Sequence, residues 1–261
     1  MNMAKIADPT LLQSYSKQLR EYCPQWKNGL IASQYLLPCK TVIRYLSSSS
    51  DAHVLDWGCG DGHFSFFLLQ LGFTVSAYSF ERIGKISSLL EGFKRFNFHH
   101  CESKEPILLP YQNKTFDVVF SMGVLEHVQE YHGNELASLK EIHRILKPGG
   151  KVFIFHLPNQ NSWIEMANRV CVKMKLFKKY THNFIYTRKK QVEELVSLAG
   201  FSLLEQGYYN LFPRNILREC PAVIGNNIYA IRLFNVLEKI VSIPLKKFSQ
   251  NHFFILEKKA S

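Results

Sequence analysis

Short apolar runs alternate with segments of helical periodicity between residue 51 and about residue 158. The runs are rich in β-branched and aromatic residues and are bounded by polar or glycine-containing segments, a pattern typical of buried strands. Because continuous apolar strands bury both of their faces, they predict a parallel sheet that is covered by helices on each side. We predict strands over 53–58, 74–79, 97–101, 116–122 and 151–157.

The segments between these strands carry helix signals. We predict helices over 62–72, 84–96 and 134–150, the last of which ends at Pro148, Gly149 and Gly150. This alternation of strand and helix predicts a doubly wound α/β fold, in which ligands bind beyond the carboxyl ends of the strands.

The whole chain is predicted to form one large domain, since 261 residues, 46% of them hydrophobic, can bury one sizeable core. Residues 1–50 predict an N-terminal helical cap and residues 51–160 the core. Residues 161–190 predict a basic amphipathic lid or interfacial segment, and residues 191–261 complete the same domain. The pattern of this last part predicts a helix over 188–200, a strand over 201–209, an apolar helix around 228–245 and a strand over 252–258.

The net charge of +11 and the pI near 9.3 favour an anionic partner, such as nucleic acid, a phosphate-rich membrane surface or an acidic small molecule.

The six cysteines stand far apart and form no Cys-x-x-Cys pair, which is typical of thiols in a reducing compartment. No stretch offers the roughly 18 uncharged apolar residues of a membrane span. We therefore expect a cytoplasmic protein, with peripheral attachment to the inner face of a membrane as an alternative.

The stretch VLDWGCGDG, residues 54–62, places three glycines at every second position after an apolar run. Such a strand-to-helix turn surrounds either a dinucleotide, in the form G-x-G-x-x-G, or S-adenosylmethionine, in the form D/E-x-G-x-G-x-G. The dinucleotide form requires glycine at position 63, where the chain has His63. Asp56 at the strand end would attract an amino group and repel a pyrophosphate, so the stretch favours S-adenosylmethionine.

Three motifs in order, VLDWGCGDG, LLPYQNKTFDVVFSMGVLEHV and EIHRILKPGGKVFIFHLPN, resemble those of the class I S-adenosylmethionine-dependent methyltransferases. The segment THNFIYTRKKQVEELVSLAGF is similar to one in the branch that methylates lipid, quinone and cell-surface sugar intermediates. The resemblance covers about residues 50–208, and residues 252–258 fit the antiparallel edge hairpin of the fold. It implies a seven-stranded, mostly parallel Rossmann-like sheet and S-adenosylmethionine as the cofactor.

The resemblance also implies which residues contact the cofactor. Its methionine part is expected within the loop of Asp56, Gly58, Cys59, Gly60 and Gly62, and Met122 and Gly123 are expected to line the side that faces the substrate. Family members usually end the second strand with an acid that binds the ribose, where this chain has Ser79, followed by Phe80 and Glu81. Glu81 is the alternative ribose ligand. After the third strand we prefer Glu102 over Glu105 as the acid that faces the adenine.

The segment after the fourth strand also bears on metal binding. In quinone-pathway O-methyltransferases this segment resembles E-x-x-E-H, which holds a divalent metal, whereas here Gly123 precedes Glu126 and His127. Because one carboxylate ligand is missing, we predict no metal.

Transfer to a hydroxyl requires a base that is effective near neutral pH, and histidine suits this task. Three histidines fall at loop positions on the carboxyl edge of the sheet, namely His127, His156 and His182. His127 and His182 match family positions, whereas His156 is a candidate from topology alone. A purely structural role remains the alternative for each of them.

Between Arg169 and Lys190 the chain carries eight basic residues and no acid. Apolar residues recur there at helical spacing from Trp163 to Phe177, so the segment predicts a basic amphipathic helix. Such a helix can lie on an anionic membrane, and an ordinary helix packed on the core is the alternative. With a second apolar helix that ends at Pro244, it favours a lipid-linked or polyphosphate-bearing acceptor.

Nucleic acid is a less favoured partner, because SMGV follows the fourth strand where enzymes that methylate base amino groups carry an Asn/Asp-Pro-Pro-Tyr/Phe tetrapeptide. We predict methyl transfer to an oxygen, less favourably to carbon or nitrogen, of a sugar, quinone or lipid-linked small molecule. A cofactor-binding module without catalysis and an RNA methyltransferase remain the alternatives. The sequence leaves the oligomeric state open.

Overall fold

A computed structural model describes residues 9–23, 26–46, 51–174 and 189–259. Its centre is a seven-stranded sheet in the order β3-β2-β1-β4-β5-β7-β6. The first five strands of this order run parallel, and β7 pairs antiparallel with both β5 and β6. The strands are β1 (His53–Trp57), β2 (Thr74–Ser79), β3 (Phe96–His100), β4 (Phe116–Met122), β5 (Leu146–Pro158), β6 (Phe201–Tyr209) and β7 (Asn251–Lys258). The predicted doubly wound sheet with an antiparallel edge pair is confirmed.

Helices cover both faces of this sheet. They are α1 (Pro9–Leu19), α2 (Gly29–Ala32), α3 (Leu36–Leu46), α4 (His63–Gln70), α5 (Ser87–Leu90), α6 (Glu135–Ile145), α7 (Trp163–Lys173), α8 (Lys189–Leu198), α9 (Arg214–Arg218), α10 (Ala222–Gly225) and α11 (Ile228–Leu245). Short 3-10 helices span Ser33–Tyr35, Leu125–Tyr131 and Lys246–Phe248.

The core lies in two layers because successive strand residues point to opposite faces. In β1, Val54 belongs to the layer under α1, α3 and α4, and Leu55 belongs to the layer under α6 and α8. Both side chains are fully buried. This burial on both faces explains the continuous apolar runs of the sequence.

Three predicted helix boundaries differ from the structure. Of the helix predicted over 84–96, only α5 forms, since Ile86 provides no side-chain cap and Gly92 follows closely. The helix predicted to end at Pro148 ends at Ile145, because Leu146 is already extended and pairs with Phe116 in the sheet. In α11, Pro244 lies inside the last turn instead of ending the helix.

The N-terminal helices are fastened to the C-terminal part of the chain through Asn28. Its side-chain oxygen accepts a hydrogen bond from the backbone nitrogen of Ile31 and caps α2, and its Nδ2 donates to the carbonyl of Leu217 at 2.9 Å. A Cβ on Gly225 would lie 2.7 Å from Cγ of Asn28, so this close approach requires glycine. We call these contacts of Asn28 the clasp. Gln34 and Tyr35, which follow Asn28 along the chain, lie beside the loops after β1 and β4, beyond the carboxyl ends of these strands.

Residues 175–188 of the predicted basic segment lie outside the described residues, and His182 is among them. The described part of that segment is α7, whose first turn is capped by Ser162. Within the described residues, no helix is long and apolar enough to cross a membrane.

Candidate active site

The turn between β1 and α4 carries the three glycines, and all three have positive φ values of 71°, 51° and 77°. A Cβ on Gly58 would lie 2.5 Å from Cγ2 of Val124, and one on Gly62 would lie 2.8 Å from Cδ1 of Leu90. A Cβ on Gly60 would meet nothing within 4 Å, since this residue faces open space. Gly58 and Gly62 therefore allow tight packing, whereas Gly60 leaves room for a ligand near the backbone.

Two cavities lie on either side of this turn and share Gly58, Gly60, Gly123 and His127 in their walls. The first has a volume of about 500 Å³ and is largely polar. The second has a volume of about 280 Å³ and follows the end of β2. Of the predicted cofactor residues, the first cavity also contacts Asp56, Cys59 and Met122, and the second contacts Ser79, Phe80 and Glu81. Gly62 and Glu102 line neither cavity.

Asp56 provides a test of whether the site suits S-adenosylmethionine. Its Oδ2 accepts a hydrogen bond from Oγ of Ser65 at 2.5 Å, whereas its Oδ1 is buried and has no hydrogen-bond partner among the described residues. Burial raises the pKa of this carboxyl to about 6, and the Ser65 hydrogen bond opposes the shift. A buried carboxylate oxygen beside an open cavity suits a cationic amino group, as the methionine part of the cofactor carries.

The second cavity bears on two choices between candidate residues, Ser79 or Glu81 and Glu102 or Glu105. Oγ of Ser79 accepts a hydrogen bond from the backbone nitrogen of Glu81 at 3.1 Å, so the serine braces the turn that brings Glu81 to the cavity. Glu102, which we preferred from the sequence, is exposed and pairs with Arg82 at 3.1 Å. Because β3 ends at His100 and the following turn directs Glu102 outward, Glu105 is the acid that the structure brings to the cavity.

His127 lies where the two cavities meet, in the 3-10 helix after β4. Its Nδ1 is 2.9 Å from Oε1 of Glu130. Since a carboxylate only accepts hydrogen bonds, Nδ1 is the donor in this pair, and the basic lone pair of the neutral ring lies on Nε2.

His156 lies in the wall of the first cavity, at the irregular end of β5. Its φ of 60° is left-handed, which is uncommon for a residue other than glycine. The backbone nitrogen donates to Oη of Tyr209 at 2.7 Å, and the same Oη lies 3.1 Å from Nδ1. Burial raises the pKa of Tyr209 well above its usual value, so the hydroxyl keeps its proton. The same hydroxyl therefore holds both the backbone and the ring of His156 in position.

Residues 31–206 match the model of the family described as Methyltransferase domain. The chain belongs to this family. The prediction of a methyltransferase that uses S-adenosylmethionine is thereby confirmed.

Two relatives of this methyltransferase match different shares of the chain. It is 32% identical over 217 residues to an uncharacterized protein of Methanocaldococcus jannaschii, which covers 83% of this chain and 82% of that one. It is 35% identical over 116 residues to a ubiquinone biosynthesis O-methyltransferase of Xanthomonas oryzae, which covers 42% of this chain and 46% of that one. The chain spans less than half the length of curated relatives with a named activity.

A solved structure shares the fold of this methyltransferase. It is the 1,6-didemethyltoxoflavin-N1-methyltransferase of Burkholderia thailandensis, with its substrate and S-adenosylhomocysteine bound. The TM-score is 0.52 at 17% identity, and the match covers 84% of this chain and 76% of that one.

Several residues of the site were missed by sequence reasoning. Glu126 was considered only as a metal ligand, yet it is buried in the wall of the first cavity, and burial raises its pKa to about 8. Gln34 and Tyr35 reach the cavity from the N-terminal cap, and Tyr209 braces His156 from β6. The sequence signal for Glu126 is its place directly after the fourth strand; the others depend on tertiary contacts.

The first cavity of this methyltransferase is acidic although the chain is basic. The described residues that line it include no lysine and no arginine. Its acidic residues are Asp56, Asp61, Glu126 and Glu165. The excess positive charge therefore lies elsewhere, and a polyphosphate group would find no cation in this wall.

Proposed function

We propose that this methyltransferase transfers a methyl group from S-adenosylmethionine to an oxygen of a sugar, quinone or lipid-linked intermediate. The observation that supports this most is the glycine turn between two cavities, with a carboxylate-oriented histidine where they meet. An oxygen is favoured over nitrogen because an amine must attack in its neutral form. The acidic residues Asp61 and Glu165 of the first cavity would favour the protonated, unreactive form of an amine.

The cofactor would lie across the turn. Asp56 would bind its amino group, and the backbone of Gly58 and Gly60 would follow its methionine part. Glu81 would accept hydrogen bonds from the ribose hydroxyls, and Glu105 would face the adenine end. When bound, S-adenosylmethionine supplies a methyl group that its sulfonium charge has already activated.

The acceptor would occupy the first cavity, and His127 would take its proton. Glu130 holds the ring with Nε2 as the basic nitrogen, which is the arrangement of a general base. His156 would serve a different purpose, because its side chain lies in the wall of the first cavity and its ring is held by Tyr209. It would help to orient the acceptor, and Tyr209 would keep the ring in position.

Titration calorimetry with S-adenosylmethionine and S-adenosylhomocysteine tests the cofactor half of the proposal. We expect Asp56→Asn to weaken binding by about tenfold or more, since a charge-assisted pair is lost. Asp51→Asn, an exposed acid far from the turn, should bind as the unchanged protein does. Affinity of the unchanged protein should also decrease as the pH falls below about 6, where Asp56 becomes protonated. No binding by the unchanged protein would contradict the proposal.

Transfer of a tritiated methyl group tests the acceptor half. The protein and labelled S-adenosylmethionine are incubated with an organic lipid extract, an aqueous metabolite extract or total RNA. We expect label in a neutral product of the lipid or metabolite extract. Label that nuclease releases from the RNA would instead support the RNA methyltransferase alternative. Cofactor binding without any transfer would support the module without catalysis.

A further inference from the structure

The helix α11 has two apolar faces, of which only one is used by the fold. Ile231 and Phe234 pack in a small cluster with Leu30 and Leu217, and Glu238 accepts hydrogen bonds from the backbone nitrogens of Leu211 and Phe212. The opposite face carries large apolar side chains at helical spacing, each between 53% and 76% exposed. They are Tyr229, Leu233, Val236, Ile240 and Ile243. This stripe points away from the body of the protein.

The helix α7 adds a second exposed apolar set. Trp163, Met166, Val170 and Met174 follow one another at helical spacing and are between 38% and 64% exposed. The two helices are neighbours, because Nε1 of Trp163 donates to the carbonyl of Leu211 at 2.7 Å and Glu238 binds the nitrogen of the same residue. We call the two exposed sets together the apolar rim. Soluble domains rarely expose so many large apolar side chains side by side.

Positive charge borders the apolar rim. Six exposed basic residues of the described part of the chain lie on or next to the two helices. They are Arg169 and Lys173 on α7, Arg232 and Lys239 on the flank of the α11 stripe, and Lys246 and Lys247 after the end of α11. Each cation near an anionic bilayer strengthens binding roughly fivefold. Trp163 and Tyr229 are side chains that prefer the boundary between lipid and water. Because a second copy of this chain would present the same positive charge, the rim favours an anionic lipid surface over self-association.

The rim lies beside the mouth of the first cavity. Ser162 and Glu165 of the α7 start, and Gln250 and Asn251 after α11, belong to its wall. Nδ2 of Asn159 joins the two borders, since it donates to the carbonyls of Lys247 and Ser249 at 2.9 and 2.7 Å. A surface that binds the rim would therefore face the entrance through which the acceptor arrives.

We propose that α7 and α11 dock on an anionic lipid bilayer and open the first cavity toward an acceptor anchored in that bilayer. The choice of acceptor rests on the proposed function, whereas the docking itself does not. The helices lie in the interface, with their apolar stripes among the lipid chains and their cations among the headgroups.

Flotation with vesicles of phosphatidylcholine, with and without phosphatidylglycerol, tests the docking. The intact protein should float with the mixed vesicles, remain behind with phosphatidylcholine alone, and float less at high salt. The double variant Leu233→Asn, Ile240→Asn should bind the mixed vesicles at least about tenfold more weakly. Leu198→Asn, which changes an equally exposed leucine on α8, should float as the unchanged protein does.

Light scattering and calorimetry separate the other outcomes. If the intact protein does not bind anionic vesicles, the docking proposal is wrong. It is also wrong if the intact protein is a dimer and the double variant is a monomer, since the rim would then bind a second copy of the chain. Binding of S-adenosylhomocysteine by the double variant shows that it is folded. Flotation without methyl transfer would support the docking and contradict the proposed function. Methyl transfer without flotation would support the proposed function and contradict the docking.

Discussion

The hydroxyl of Tyr209 binds His156 at two points, 2.7 Å from its backbone nitrogen and 3.1 Å from its Nδ1. One side chain thus stabilises both the left-handed backbone of the histidine and the orientation of its ring. The contact joins β6 to β5 beside the first cavity, although β7 separates these strands in the sheet.

Replacing Tyr209 by phenylalanine should impair acceptor binding more than cofactor binding. The change leaves the backbone nitrogen of His156 without its acceptor, at a cost of about 1–3 kcal/mol of folding stability. We expect a higher KM for the acceptor, at unchanged affinity for S-adenosylhomocysteine. Tyr208→Phe is the matched control, because Tyr208 packs on His252 instead. Equal effects of the two variants would argue against an orienting role for Tyr209.

The two histidines should differ in their kinetic effects. His127→Asn removes the proposed base and should lower kcat by about 10²-fold or more. Glu130→Gln should lower kcat less, because the amide oxygen can still accept the hydrogen bond from Nδ1 but carries no charge. His156→Asn should act mainly on the KM for the acceptor. If His127→Asn left kcat and its pH profile unchanged, His127 would not be the base.

Glu126 makes the stability of the protein depend on pH. Its folded-state pKa of about 8 exceeds the usual 4.5, so the folded protein holds this proton more tightly than the unfolded chain. The contribution of protonated Glu126 to the free energy of unfolding is therefore complete below pH 4.5 and is lost as the pH rises through 8.

Glu126→Gln removes this dependence. The stability of the variant relative to the unchanged protein should increase across that range, by at most about 1.4 kcal/mol per pH unit. Urea unfolding at both ends of the range measures it, with the exposed Glu102→Gln as control. A difference that does not vary with pH would show that Glu126 titrates normally.

Two glycines of the turn should respond differently to alanine. Gly58→Ala brings a methyl group against Val124 and should destabilise the fold, and adding Val124→Ala should restore part of the loss. Gly60→Ala meets no protein atom, so it should cost only about 1–2 kcal/mol for its positive φ. It should nevertheless weaken cofactor binding, because its methyl group enters the ligand space. Thermal unfolding and calorimetry separate the two effects, and normal cofactor binding by Gly60→Ala would contradict a ligand role.

Local pattern was sufficient to predict most of the sheet, since β1, β2, β4 and the second half of β5 are largely buried on both faces and carry mainly apolar or small residues. The edge strand β3 is only partly buried. The glycine turn was predictable as well. Its positive φ values, and the close packing at Gly58 and Gly62, can be adopted by few residue types other than glycine. The end of α6 was not, since the extended conformation of Leu146 comes from its pairing with Phe116 in another strand. Local helix signals do not contain that information.

The acceptor side of the site was less predictable because it is built from distant segments. Tyr35 and His156 meet in the wall of the first cavity, and Tyr209 meets His156 behind it, only after the fold has formed. The preference for Glu102 over Glu105 follows from distance to the strand end, whereas the direction of the turn determines that Glu105 lines the second cavity. Burial of Glu126 likewise depends on packing that no short stretch encodes.

The clasp at Asn28 has a consequence for the order in which the enzyme is assembled. Asn28 and Leu217 are 189 residues apart, so this contact cannot form until much of the chain has left the ribosome. The glycine turn and the strands around it come from one continuous stretch, which is synthesised earlier. We therefore expect a mutation at Asn28 to disturb the part of the first cavity formed by Gln34 and Tyr35 more than the glycine turn.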